Sequence, residues 1–222
     1  MFEKTPDPEQ ARADMVAHQL ASRDITDPRV LKAMGDIPRH RFVSDDLLSA
    51  AYQDRPLAIG FGQTISQPYI VAYMTQALAL PTDEQSVVLE IGTGSGYQAA
   101  ILSQLAAKVY TIERVPELAE RARKILHSLE IFNVEVLVSD GGYGCPDHSP
   151  YDGILVTAAA PHVPPPLTVQ LKNNARLIVP VGAKGYQDLV CIQRQGDRLR
   201  ENRLAPVAFV PLRGEHGWQT DD

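Results

Sequence analysis

Three glycines at alternate positions follow a short apolar segment and could hold a nucleotide-like ligand. The segment reads VVLEIGTGSGYQAA over residues 87–100, with the glycines at Gly92, Gly94 and Gly96. Glycine adopts positive φ readily and lets a ligand approach the backbone without meeting a Cβ atom. Open α/β sheets also bind their ligands at the carboxyl ends of the strands. These residues therefore predict a buried strand, a binding loop and a helix, in that order.

A carboxylate at the end of the next apolar segment could bind a ribose. Glu113 stands 21 residues after Gly92, and a carboxylate there can accept hydrogen bonds from two ribose hydroxyls. Gly94, Gly96 and Ala99 satisfy the dinucleotide pattern G-x-G-x-x-G/A, which would indicate an NAD-binding oxidoreductase. That match begins two residues late, because the dinucleotide loop turns directly at the strand end. A tight turn without a ligand is a further interpretation.

The spacing Glu90-x-Gly92-x-Gly94-x-Gly96 resembles the first motif of class I S-adenosylmethionine-dependent methyltransferases. In that superfamily the acidic residue at the strand end orients the methionine part of the cofactor. An acidic residue after the third strand contacts the adenine amino group, which implies Asp140. The resemblance thus implies a set of cofactor contacts in three loops: Glu90, Gly92, Thr93, Gly94, Ser95, Gly96, Glu113, Asp140 and Gly141.

The fourth apolar strand narrows the class of methyl acceptor. It lies in YDGILVTAAAP, residues 151–161, and lacks the Asn/Asp-Pro-Pro-aromatic motif that amine-methylating DNA enzymes share. Mg²⁺ requires oxygen ligands, and residues 157–160 (TAAA) offer almost none, so no metal is predicted. A site without an evident base suits an acceptor that is already ionised at neutral pH, such as a carboxylate with a pKa of about 4.

The order of predicted elements brings these loops to one edge of a sheet. Residues 8–22, 28–37 and 44–51 predict helices, residues 52–65 a loop, and residues 66–80 a further helix. Strands are then predicted at 87–91, 109–113, 134–140, 154–158, 175–181, 189–194 and 204–212, with helices at 97–107, 116–131 and 165–171. Apolar strands that alternate with helices predict a parallel sheet covered on both faces.

These elements predict an α/β fold with a doubly wound, mostly parallel seven-stranded sheet and a helical N-terminal extension. The predicted domains are residues 1–65, which form the helical extension and a substrate-side loop, and residues 66–222, which form the cofactor-binding α/β catalytic domain. Together they are expected to make one compact unit.

Nearly the whole chain resembles the protein-L-isoaspartate (D-aspartate) O-methyltransferase family. The segments that carry the resemblance are RVLKAMGDIPRHRFV (29–43), YQDRPLAIGFGQTISQP (52–68), the glycine motif, PYDGILVTAAAP (150–161), LKNNARLIVPVG (171–182) and FVPL (209–212). The most diagnostic is GQTISQP, residues 62–68, which other methyltransferases lack. The resemblance implies a Rossmann-like methyltransferase fold. It also implies methyl transfer from S-adenosylmethionine, which leaves S-adenosylhomocysteine, to the free α-carboxylate of isoaspartyl residues in damaged proteins.

The same resemblance implies residues on the acceptor side. Ser66 corresponds to the serine assigned to the family's active site, and the family's cofactor contacts extend to Gln63, Thr64 and Ile65. The implied substrate-binding residues are Ser66, Thr157, Ala158 and Ala159. Ser66 also stands just before a predicted helix, where a serine is a natural N-cap. Both the active-site role and the capping role of Ser66 stay open. A non-catalytic module that binds S-adenosylmethionine is a further interpretation of the chain.

Composition disfavours several other functions. The net charge is −6 and no run is rich in Lys or Arg, so a nucleic-acid substrate is not expected. No stretch approaches the roughly 18 apolar residues of a membrane span, and the N-terminal sequence lacks the apolar core of a signal peptide. Cys145 and Cys191 match no metal spacing and are expected to be reduced thiols. We therefore expect a cytoplasmic, monomeric enzyme that acts on isoaspartyl-containing peptides and proteins, without a metal or a membrane.

Overall fold

Short helices make up the N-terminal part of the chain. The computed structural model describes residues 7–83, 85–183 and 185–219, so residues 1–6 of the predicted extension lie outside the described residues. The helices are α1 (Pro8–Asp14), continued by a π-helix (Met15–Ala21), then α2 (Pro28–Asp36) and two 3-10 helices (Arg39–Phe42 and Asp45–Ala50). Asp27 caps α2 as predicted, because its carboxylate accepts a hydrogen bond from the Arg29 N–H at 2.9 Å.

A β-hairpin occupies the region that the sequence predicts to be a loop. Its strands are β1 (Leu57–Gly60) and β2 (Gln63–Ile65), paired antiparallel with Leu57 opposite Ile65. The loop prediction was wrong because Gly60 and Gly62 were interpreted only as breaks in structure. Both have positive φ, at 91° and 68°, and together they form the turn of the hairpin.

The remaining elements alternate along the chain, as predicted. The helices are α3 (Pro68–Leu78), α4 (Tyr97–Leu102), α5 (Pro116–Ser128) and α6 (Pro165–Val169). The strands are β3 (Val87–Ile91), β4 (Lys108–Glu113), β5 (Val134–Val138), β6 (Tyr151–Val156), β7 (Leu171–Ala183), β8 (Tyr186–Gln195) and β9 (Arg198–Val207).

The last seven strands form one sheet in the order β5-β4-β3-β6-β7-β8-β9. The five strands from β5 to β7 are parallel, and β8 and β9 add an antiparallel edge. The chain moves outward from β3 to β5 and then returns to place β6 on the other side of β3. The ends of β3 and β6 are therefore neighbours, with Ile91 beside Val156. A reversal of this kind creates the crevice in which open α/β sheets bind ligands.

Both faces of the sheet are buried. Val88 and Leu89 are consecutive in β3, are both fully buried, and belong to different apolar clusters. The N-terminal helices and α3 to α5 pack in the first cluster, and α6 packs in the second. Within the described part of the chain, no helix has the length and apolarity to cross a membrane. The predicted fold class is confirmed, while the boundary between residues 65 and 66 stays a prediction.

The position of the last strand was predicted wrongly. Residues 204–212 were expected to form it, but β9 spans Arg198–Val207. The first six residues of β9 are exposed, because β9 is an edge strand. Several of them are charged, so the sequence lacks the apolar pattern that would predict a strand there. Residues 208–212 instead cross the carboxyl edge of the sheet, where Pro211 bridges to Ala159.

Candidate active site

The glycine loop lies at the carboxyl edge of the sheet, between β3 and α4. Gly92, Gly94 and Gly96 have φ values of 95°, 52° and 88°, a region that glycine adopts without a Cβ penalty. A Cβ added to Gly96 would lie 3.2 Å from Ala122 of α5, so this glycine permits close helix packing. A Cβ added to Gly94 would lie near only Ile59 Cδ1, at 3.5 Å. The loop therefore leaves room for a ligand at Gly94.

A cleft of about 170 Å³ opens over the ends of β3, β4 and β6. We call it the donor cleft. Its wall comes from the hairpin, the strand ends and the segment after β9, and consists of Gln63, Thr64, Ile91, Gly92, Gly94, Ile112, Glu113, Arg114, Val115, Gly141, Thr157, Ala158, Val210, Pro211, Leu212 and Arg213. Eight of these residues were singled out from the sequence. Arg114 and residues 210–213 were missed as wall residues, although FVPL had been noted as a family segment.

Glu113 links the glycine loop to the start of α5. One carboxylate oxygen accepts a hydrogen bond from the Gly94 N–H at 2.8 Å, and the other accepts one from the Val115 N–H at 2.9 Å. The side chain is nearly buried and lines the donor cleft. Each carboxylate oxygen has two lone pairs. Glu113 can therefore hold the loop and still accept hydrogen bonds from a ligand's hydroxyls.

Glu90 is a fully buried carboxylate with one unsatisfied oxygen. Its Oε2 accepts a hydrogen bond from Thr111 Oγ1 at 2.5 Å, while its Oε1 has no partner among the residues that the structure describes. The pKa of Glu90 is raised to about 8, chiefly by burial and also by nearby Glu113, although the Thr111 hydrogen bond opposes the rise. A buried carboxylate oxygen without a donor is costly. A cationic amine in this place would supply both the missing donor and the compensating charge.

A small cavity beneath the glycine loop gives access to Glu90. Its wall includes Thr64, Ile65, Ser66, Glu90, Gly92, Thr93, Gly94, Ser95 and Thr157. Ile65, Thr93 and Ser95, which were expected to contact the cofactor, thus line this deeper cavity and not the donor cleft. The described geometry gives Gly96 a packing role.

Glu90→Gln is expected to remove a pH-dependent loss of stability. Because the pKa of Glu90 in the folded chain is raised to about 8 from its ordinary value of 4.5, the unfolded chain releases this proton at lower pH than the folded chain does. Stability should therefore fall as the pH rises from about 5 to about 8, by up to about 1.4 kcal/mol per pH unit. The glutamine variant should lack this fall when the free energy of unfolding is measured across that range.

The matched control for that measurement is Glu201→Gln. Glu201 is exposed on β9, so this variant should keep the wild-type dependence on pH. Equal pH slopes for wild type and Glu90→Gln would contradict the expectation.

Asp140 holds the segment after β9 in place. Its carboxylate accepts hydrogen bonds from the Gly142 N–H at 2.8 Å and the Glu215 N–H at 2.9 Å. A Cβ added to Gly214 would lie 2.3 Å from either carboxylate oxygen. Asp140 is not among the described residues that line the donor cleft, whereas Gly141 is. The geometry gives Asp140 a structural task, and its contact with adenine stays a prediction.

A second cleft of about 450 Å³ lies beside the first. We call it the acceptor cleft. Its wall contains Pro56, Thr64, Ser66, Gln67, Ile70, Thr157, Pro206, Val207, Ala208, Phe209 and Val210. None of these described wall residues is charged. Thr64, Thr157 and Val210 line both clefts, so the two spaces adjoin.

Ser66 lines the acceptor cleft and does not cap a helix. The N-cap of α3 is Gln67, whose side chain makes no capping hydrogen bond. Asp54 supplies the missing acceptor, since its Oδ1 receives a hydrogen bond from the Tyr69 N–H at 3.2 Å. The predicted capping role of Ser66 was therefore wrong. In the described ranges, the hydroxyl of Ser66 forms no hydrogen bond, which leaves it free for a ligand.

The residues after β6 divide between the cleft wall and the structure behind it. Thr157 Oγ1 lies 2.6 Å from the Gly92 carbonyl oxygen, to which its hydroxyl donates a hydrogen bond. Ala158 lines the donor cleft. Ala159 is buried and lines neither cleft, because its N–H donates to the Val210 carbonyl and its carbonyl accepts from the Leu212 N–H, both at 2.8 Å. Ala159 thus anchors the segment that forms the wall.

Comparisons with known proteins point to one family. The family model for protein-L-isoaspartate(D-aspartate) O-methyltransferase matches residues 10–217. A protein-L-isoaspartate O-methyltransferase of Methanoregula boonei is 55% identical over 209 residues, covering 94% of this chain and 95% of the relative. One of Methanoculleus marisnigri is 52% identical over 208 residues, covering 94% of each.

Solved structures share the fold. A protein-L-isoaspartate O-methyltransferase structure superposes with a TM-score of 0.82 at 30% identity, over 95% of this chain and 67% of that one. A structure from Plasmodium falciparum in complex with S-adenosyl-L-homocysteine has a TM-score of 0.77 at 23% identity, over 95% of this chain and 99% of that one. At that identity the second likeness shows the fold alone.

Proposed function

The chain belongs to the protein-L-isoaspartate(D-aspartate) O-methyltransferase family and methylates the α-carboxylate of isoaspartyl residues in damaged proteins, and we propose that the donor and acceptor clefts are the two halves of its active site. The observation that carries this assignment is that Thr64 and Thr157 line both clefts. A methyl group bound in one cleft would face a carboxylate bound in the other. The interpretations as an NAD-binding oxidoreductase and as a non-catalytic module find no support in the comparisons.

The donor cleft suits S-adenosylmethionine, which supplies a methyl group on a positively charged sulfur. In the small cavity that shares Gly92 and Gly94 with the donor cleft, Glu90 offers a buried carboxylate oxygen to the cofactor's amino group, since Oε1 has no partner among the described residues. Glu113 offers its remaining lone pairs to the ribose hydroxyls. The backbone at Gly94 lies open to the ligand, because only Ile59 would approach an added Cβ there. Together these residues would bind and orient the cofactor.

The acceptor cleft suits a carboxylate that needs no base. A carboxylate with a pKa of about 4 is already ionised at neutral pH. No Lys or Arg lines the described wall of this cleft, so no cation would withdraw charge from the attacking oxygen. Ser66 offers a hydroxyl that donates a hydrogen bond and holds the carboxylate. Catalysis then rests on alignment, which can be worth effective molarities of about 10⁵–10⁸ M.

The remaining parts of the proposal concern partners and location. The chain would act as a monomer in the cytoplasm on isoaspartyl peptides and proteins, without nucleic acid, membrane or metal. Thr157, which lines both clefts, would shape the acceptor cleft together with Ser66, and Ala158 would shape the donor cleft.

The decisive test compares two peptides of identical sequence that differ only in an isoaspartyl or a normal aspartyl residue. The isoaspartyl peptide should accept the methyl group at least about 10²-fold faster, because a displacement near 1 Å costs about that much in rate. Equal methylation of both peptides would overturn the assigned specificity.

Chelation tests the metal-free part of the proposal. No cluster of three potential metal-binding side chains occurs among the described residues, and the expected result is unchanged activity in EDTA. A large loss that Mg²⁺ restores would contradict it, without affecting the assignment of the acceptor.

A further inference from the structure

We propose that Asp54 is a positioning residue that sets the place of Ser66 in the acceptor cleft. The inference rests on the proposed function, in which Ser66 holds the substrate carboxylate. Asp54 itself does not line the described wall of that cleft. It acts through the short segment that joins β2 to α3.

Asp54 binds three partners from different parts of the chain. Its Oδ1 accepts a hydrogen bond from the Tyr69 N–H at 3.2 Å. Its Oδ2 accepts one from the Gln67 side-chain amide at 2.8 Å and pairs with the Arg23 guanidinium at 3.1 Å. Two of the three partners are residues at the start of α3. One carboxylate therefore fixes both the backbone and a side chain at this helix end.

The start of α3 depends on this carboxylate because it lacks a local cap. The N-cap residue Gln67 makes no capping hydrogen bond, and Pro68 at the first helical position has no N–H to bond. The Tyr69 N–H is thus an orphan donor of the first turn. Its acceptor comes from 15 residues upstream, so the helix start is tied to the chain that leads into the hairpin.

Ser66 is held from both sides and makes no hydrogen bond of its own through its hydroxyl within the described ranges. On one side, Ile65 pairs with Leu57 in the hairpin. On the other side, Asp54 holds Gln67 and Tyr69. Removal of the second restraint would let the Ser66 hydroxyl shift, and a shift near 1 Å can cost about 10²-fold in rate. Asp54 therefore helps to determine which substrate the acceptor cleft holds correctly, although Asp54 itself lies outside that cleft.

A double-mutant cycle tests the proposal. The four proteins are the wild type, Asp54→Ala, Ser66→Ala and the double variant, each assayed for kcat and KM with an isoaspartyl peptide at saturating S-adenosylmethionine. Asp54→Ala should lower kcat/KM at least tenfold while the Kd for S-adenosylhomocysteine stays within twofold of wild type. In the Ser66→Ala background the same substitution should change kcat/KM less than threefold, because the group that Asp54 positions is absent.

Two further variants separate positioning from general stability. Arg23→Gln removes the ion pair with Asp54 and the stacking of the guanidinium on the Tyr69 ring, but it leaves the acceptor of the Tyr69 N–H in place, so kcat/KM should stay within twofold of wild type. Asp54→Asn keeps one oxygen for the Tyr69 N–H and should recover part of the activity that Asp54→Ala loses. If Asp54→Ala does not fold, Asp54→Asn takes its place in the cycle, with a loss of at least threefold expected in place of tenfold.

The outcomes distinguish the two hypotheses. An equal loss from the Asp54 substitution in both backgrounds, or no loss at all, would overturn the positioning role. Full activity of Ser66→Ala alone would overturn the proposed role of Ser66, and the role of Asp54 with it. A weaker Kd for S-adenosylhomocysteine in Asp54→Ala, in parallel with the loss of kcat/KM, would show a general structural effect and would also overturn the proposal.

Discussion

Gly94→Val is expected to weaken the binding of S-adenosylhomocysteine at least about 10²-fold, equivalent to about 2.7 kcal/mol, while the fold survives. Gly94 has a φ of 52°, and the left-handed region is unfavourable for a β-branched residue. The fold should tolerate the side chain, because an added Cβ would lie near only Ile59 Cδ1, at 3.5 Å. The valine methyl groups would instead enter the donor cleft, and the change in backbone would disturb the Gly94 N–H that Glu113 holds.

Gly196→Val is the matched control for this variant. Gly196 lies in the turn between β8 and β9 with a φ of 62°, and an added Cβ would meet nothing within 4 Å. It therefore carries similar backbone strain far from the donor cleft. Calorimetry should find wild-type affinity in this control and no detectable binding for Gly94→Val. A folded Gly94→Val protein with wild-type affinity would place the cofactor elsewhere.

Ser66→Asp is expected to lower methyl transfer by at least about 10²-fold. The acceptor cleft has no Lys or Arg in its described wall, so an added carboxylate would repel the substrate carboxylate without compensation. Ser66→Ala should lose at least about tenfold, because only a hydrogen bond to a charged group is removed. The melting temperature should change little in either variant, since α3 takes its capping hydrogen bond from Asp54 and not from Ser66.

Ser66→Asn separates charge from size in this experiment. Asparagine has nearly the shape of aspartate and no charge. The rate of methyl transfer by Ser66→Asn should therefore lie close to the rate of Ser66→Ala. The rates are compared as kcat/KM for an isoaspartyl peptide at saturating S-adenosylmethionine. If Ser66→Asp retained full activity, the carboxylate would have to be held by another group.

The parts of the molecule that could be predicted are those whose determinants are local. β3 matches its predicted bounds because its five residues, four of them apolar and the fifth Glu90, are followed directly by the glycine loop. The start of α2 is likewise determined by two adjacent residues, the N-cap Asp27 and Pro28 at the first helical position. Gly92, Gly94 and Glu113, which line the donor cleft at the ends of β3 and β4, could be named for the same reason. They stand directly after strands whose place in the sheet follows from their order.

The parts that were missed depend on contacts between distant residues. The acceptor for the Tyr69 N–H comes from Asp54, which no local pattern at the helix start reveals. The polar surface of β9 gives no alternation to detect, because that strand is an edge. Residues 210–213 form cleft wall because long-range contacts hold them there, among them the pairing of Ala159 with Val210 and Leu212. Resemblance to a family could mark such segments as important, but it could not say what they touch.

The pairing of Ala159 with the segment after β9 has a consequence for the biogenesis of the enzyme. Val210 and Leu212 are translated after all seven strands of the sheet; Val210 lines both clefts, and Leu212 lines the donor cleft. A chain that has been synthesised only through β9 therefore contains every strand of the sheet but lacks residues that line the two clefts. Catalytic competence therefore requires synthesis of residues 208–213 as well as of the complete sheet.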